Sequence, residues 1–140
     1  MDLAIPVASV FALLSALHVY WAVGGRAGAV AALPEREGAP LFRPGPASTL
    51  VVAGLLAFAA LLVLARAGHG PGTRLPHWMV TLGVPVVAVV MLVRSVGDLR
   101  YVGFFKKVRN TRFAQLDTMY FSPIALALGA ATAFVAWSRP

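Results

Sequence analysis

The segment Ala47–Ala65, ASTLVVAGLLAFAALLVLA, carries no ionisable side chain and no proline. A helix crossing a hydrocarbon core of roughly 30 Å needs about 20 predominantly apolar residues. Backbone N–H and C=O groups in lipid must pair internally, and an unbroken apolar run achieves this as a helix. Three further runs read the same way: Leu3 to Gly25, Trp78 to Val93 and Ser122 to Trp137. The expected fold is all-α, a four-helix transmembrane bundle forming one integral membrane domain over residues 1–140. Its helices are placed near 3–25, 47–66, 77–96 and 120–138.

Composition agrees with this reading. A chain with 59% hydrophobic and 12% charged residues lies outside the range of soluble domains. The net charge of +7 would point to nucleic acid in a soluble protein. Here the cations flank apolar spans, where they set orientation and meet anionic head groups, so lipid is the expected partner and nucleic acid is not. The absence of cysteine excludes a disulfide frame, a thiol nucleophile and thiolate metal ligation. Asp2 in place of a basic flank, and the length of the first run, argue for a retained helix over a signal peptide.

Small residues recur every four positions at Ala4, Ala8, Ala12 and Ala16, and again at Ala125, Gly129 and Ala133, stripes that let helices approach closely. Ala53 and Ala57 form a similar pair. A helix–helix protein partner or a homo-oligomer would use such stripes. His69 and His77 lack a third ligand of suitable type, so no metal site is expected, and no cofactor motif is present. Pro85 should kink the third helix.

The chemistry-bearing residues concentrate in Val93–Pro123, VRSVGDLRYVGFFKKVRNTRFAQLDTMYFSP. Arg94 suits the negative end of a helix dipole, Gly97 a helix stop, and Asp98 the N-cap of a new helix. Tyr101, Phe104, Phe105 and Val108 recur at helical spacing, predicting a short amphipathic helix in the membrane interface between helices 3 and 4. Asn110 and Thr111 read as a hinge, and Ser122 and Pro123 as the cap and first turn of helix 4.

With four spans, the first and third connections share one face. That face holds Arg26, Arg36, Arg43, Arg94, Arg100, Lys106, Lys107, Arg109 and Arg112, against Arg66, Arg74 and Arg139 on the other. The positive-inside bias places loops 26–46 and 97–119 in the cytoplasm and both termini outside. His18, Tyr20 and Trp21 at the end of helix 1 then meet Arg94, Asp98, Arg100, Tyr101, Lys106 and Asp117 on one face.

The segments HVYWAVGGR (18–26), LFRPGP (41–46), RSVGDLRYVGFFKKVRNTRFAQLDT (94–118) and YFSP (120–123) resemble a bacterial family of small four-helix membrane proteins of unknown function. The resemblance implies the architecture, location in the bacterial inner membrane and the choice of site, and no reaction. Three functions fit the residues. One is a site for an anionic lipid or phosphate-bearing molecule, with Tyr20, Trp21, Arg94, Arg100, Tyr101 and Lys106 as ligand contacts. A second is a membrane enzyme using His18 with Asp98 or Asp117 as an acid/base pair, which lacks a recognisable nucleophile or metal cage. The third is an accessory or scaffold subunit of a membrane complex.

Overall fold

The computed structural model describes residues 2–138; Arg139, used in the orientation argument, lies outside them. Four helices are long and apolar enough to cross a membrane: α1 (Ala4–Ala22), α2 (Pro46–Arg66), α3 (His77–Val96) and α4 (Arg112–Trp137). A two-stranded hairpin, β1 (Glu35–Arg36) and β2 (Ala39–Pro40), lies in the α1–α2 connection. Leu55, Val86 and Val89 on the helix surfaces are more than half exposed. A soluble protein does not leave spans of such surface in water, so the chain is a multi-pass membrane protein.

α1 packs mainly on α2 and α3 on α4, and α2 joins the two pairs through α3. The small-residue stripes explain where the helices meet. Ala4 and Ala8 lie in a core with Val7, Phe11, Ala59, Val63, Leu128 and Val135. Ala12 and Ala16 instead line an apolar groove of about 600 Å³ beside Ala57 and Ala60. On α4, a Cβ placed on Gly129 would stand 2.8 Å from Leu92 Cγ and 3.0 Å from its backbone nitrogen, so glycine sets the α3–α4 distance. Pro85 stays inside an uninterrupted α3. At the end carrying the termini, Arg66 donates to the carbonyls of Ala136 (3.0 and 3.2 Å) and Ser138 (2.7 Å), satisfying carbonyls at the C-terminal end of α4. His69 Nε2 meets the Asp2 carboxylate at 2.6 Å on the same end.

Two sequence expectations are corrected. No helix forms between Asp98 and Val108, despite the helical spacing of its apolar residues. Leu99 and Gly103 adopt φ of +65° and +89°, and the N–H groups of Gly103 and Phe104 turn to distant acceptors, leaving the first helical bonds without donors. The fourth helix begins at Arg112 and not near 120. Thr111, read as part of a hinge, is its N-cap, its hydroxyl accepting from Ala114 N at 3.0 Å. Ser122 and Pro123 therefore lie inside α4 and do not start it.

The added N-terminal turns of α4 rest on β1 and on the 3₁₀ turn Val30–Ala32. The first and third connections thus share one end of the bundle.

Candidate functional site

Pro123 has no N–H to offer the carbonyl of Met119, and just before it α4 widens into a π-turn over Asp117–Phe121. The Ser122 N–H bonds the Asp117 carbonyl five residues back. Residues five apart in a regular α-helix point about 140° apart. The wider turn brings them together, and Ser122 Oγ donates to Asp117 Oδ2 at 3.0 Å.

Asp117 is fully buried and is the centre of the site. Arg94 Nη2 at the end of α3 donates to Oδ1 at 2.8 Å. Oδ2 receives Lys106 Nζ at 3.0 Å and the Gly103 N–H at 2.8 Å. Lys106 is also wholly buried and donates to Gly103 O at 2.9 Å and Thr118 Oγ1 at 2.6 Å. Its three donors are therefore all used. Arg94 has a side chain 34% exposed, and its Nη1 is buried without a partner among the described residues. One carboxylate against two cations leaves the cluster net positive. Burying charge in this way is tolerable only when both ions are paired and hydrogen-bonded.

Close backbone contact brings the loop to Asp117. A Cβ on Gly97 would collide with the Val102 carbonyl and the Gly103 Cα, and one on Gly103 with the Val96 carbonyl and Gly97 Cα. Phe104 N–H then reaches Ser95 O at 2.8 Å.

Asp98 keeps the capping chemistry expected of it without the helix. Its Oδ1 accepts from the backbone of Arg100 (2.9 Å), Tyr101 (2.7 Å) and Val102 (2.9 Å). Burial alone would raise this carboxyl, but the three N–H groups outweigh it and hold it below the usual 3.8. A folded value below the unfolded one means that its stabilisation is complete above pH 3.8 and is lost as pH falls through the lowered value. The protection factors of the Arg100, Tyr101 and Val102 amides, exchange divided by the intrinsic rate at each pH, should fall only in that acidic window, and Asp98→Asn should abolish that fall.

The remaining expected site residues are dispersed. His18 Nδ1 lies 2.7 Å from Leu14 O on its own helix, and the ring sits edge-on to Trp21 at 5.0 Å. Among the described residues no His18 nitrogen comes within 4.0 Å of a carboxylate oxygen, so neither Asp98 nor Asp117 pairs with it directly. Trp21 Nε1 donates to Ala27 O at 2.8 Å, and Tyr20 OH accepts from Ala27 N at 3.4 Å. Both rings brace the turn after α1. Arg100 is exposed, its guanidinium 5.2 Å from the Tyr101 ring centroid. No three His, Asp or Glu side chains cluster among the described residues in a way that could hold a metal.

Sequence reasoning selected Asp117, Arg94 and Lys106 but not their union. It missed Gly103, Thr118 and Ser122 as partners. The one available signal was Asp117 following the cations Lys106, Lys107, Arg109 and Arg112 in a chain otherwise poor in charge. No curated protein and no solved structure matches the chain. The family described as "Protein of unknown function (DUF3995)" matches residues 11–132, nearly the whole bundle and all of the Asp117 cluster, and the chain belongs to it.

Proposed function

We propose that the protein binds an anionic lipid head group, or a phosphate-bearing small molecule, at the end of the bundle where the first and third connections meet, and that this end faces the cytoplasm. The observation that carries the reading is the division of labour among the cations. Lys106 and one edge of Arg94 neutralise Asp117 inside the fold. Arg100, Lys107, Arg109 and Arg112 remain exposed on the segment that this cluster anchors. A held loop presents them without first having to be ordered, which favours binding.

Each exposed cation near an anionic surface is worth about 1 kcal/mol. Replacing Arg100, Lys107 and Arg112 together by glutamine should therefore weaken retention of phosphatidylglycerol roughly a hundredfold, by about 3 kcal/mol. Native mass spectrometry of protein exchanged into mixed phosphatidylglycerol and phosphatidylcholine checks this. Equal retention by the triple variant and the parent, with intact thermal unfolding, would remove the proposal. Inorganic phosphate as competitor separates the two sources: displacement of lipid by free phosphate identifies a small-molecule site.

A further inference from the structure

The connection between α3 and α4 has an unusual backbone. It forms neither helix nor strand from Gly97 to Asn110, and the amides of Gly97, Arg100 to Phe104, Lys107 and Val108 are bonded within the protein. The N–H groups of Arg100, Tyr101 and Val102 go to Asp98, that of Gly103 to Asp117 and that of Phe104 to Ser95 O. Lys107 and Val108 N–H both go to Arg100 O, while the carbonyls of Gly103 and Phe104 take Lys106 Nζ and Arg109 Nη2. Irregular backbone buried against protein is tolerated beside membrane spans, and amides left over meet water at the head-group level.

The placement of the loop agrees. Gly103 to Lys106 run beside Arg94 in the last turn of α3 and Asp117 in the π-turn of α4, both inside apolar spans. The segment folds back along the helices and does not project from them. Its outward side mixes large apolar side chains with charged ones. Val93 and Val96 in the last turns of α3 are 61% and 43% exposed, and Leu99 and Phe105 in the loop are 56% and 64% exposed. Leu99 adopts a left-handed φ of +65°, unusual for a bulky residue. Arg100, Lys107 and Arg109 stand next to these side chains and are long enough to reach head groups while their stems lie among lipid.

We infer that residues 97–108 lie in the boundary between head groups and acyl chains, with Leu99 and Phe105 inserted among the lipid chains. The occupant of this surface is the bilayer itself. The inference goes beyond the head-group reading and needs no anionic lipid.

The absence of cysteine makes the test direct. Phe105→Cys carries a nitroxide label in phosphatidylcholine vesicles, with Val89→Cys on the exposed face of α3 and Glu37→Cys in the β1–β2 turn as references. Collision rates with oxygen and with a water-soluble nickel chelate are compared. The label at 105 should favour oxygen over the nickel chelate, less strongly than that at 89. A label at 105 that favours the nickel chelate, as at 37, overturns the inference. Leu99→Cys supplies the same reading should the labelled Phe105 variant fail to reconstitute. Because neutral vesicles are used, failure of the head-group proposal leaves this result unchanged.

Discussion

Asp117→Asn is expected to destabilise the protein by about 3–5 kcal/mol, the magnitude found when one member of a buried ion pair is removed. The asparagine fills the same space, so the loss is electrostatic. Lys106, fully buried, would be left with only Gly103 O and Thr118 Oγ1 as neutral acceptors, and Arg94 would lose the only carboxylate that pairs with it among the described residues. The loop should detach first, since Gly103 N–H and Lys106 are tied to Asp117 from its side. Thermal unfolding in detergent measures the loss, and limited proteolysis within 97–111 should accelerate. Lys106→Met in the Asp117→Asn background should recover part of the stability, because it removes the stranded cation. A single Asp117→Asn variant as stable as the parent would show that the cluster does not hold the loop.

The second large effect belongs to the glycine contact beneath the loop. Gly97 has φ +85° and ψ −166°, a region essentially restricted to glycine. An added methyl at Gly97 or Gly103 meets backbone atoms of the opposite strand of the loop, which cannot move aside as a flexible side chain would. Backbone strain of about 1–3 kcal/mol and overpacking of about 1–3 kcal/mol act together, so Gly97→Ala or Gly103→Ala should each lose about 3 kcal/mol. Gly54→Ala is the matched control: no atom lies within 4 Å of its added Cβ, and the change should be neutral or slightly favourable. If all three variants unfold at the same temperature, close backbone approach at Gly97 and Gly103 is not required.

Some of this architecture could be read residue by residue. The four spans follow from apolar runs, and within the stripe Ala125, Gly129, Ala133 it is Gly129 that meets Leu92 of α3, because a larger side chain there would not permit that approach. The false helix over 98–108 shows the limit. Tyr101, Phe104, Phe105 and Val108 have helical spacing, but periodicity reports which side chains share a face only if the backbone bonds locally. Here Asp98, Ser95 and Asp117 compete successfully for the amides. Likewise Ser122-Pro123 resembles a helix start in isolation. Inside a helix already begun at Thr111, the same pair accompanies a π-turn.

The membrane-spanning class, the number of spans and the segment holding the charges are properties of composition along the chain, since transfer of apolar surface into lipid is nearly additive over residues. The use of those charges is not additive. Whether Lys106 faces lipid head groups or pairs with Asp117 depends on distances set by the π-turn at Asp117–Phe121 and by the Gly97–Gly103 contact. The energy of an ion pair varies steeply with separation and burial, and both come from the packing of segments remote in sequence.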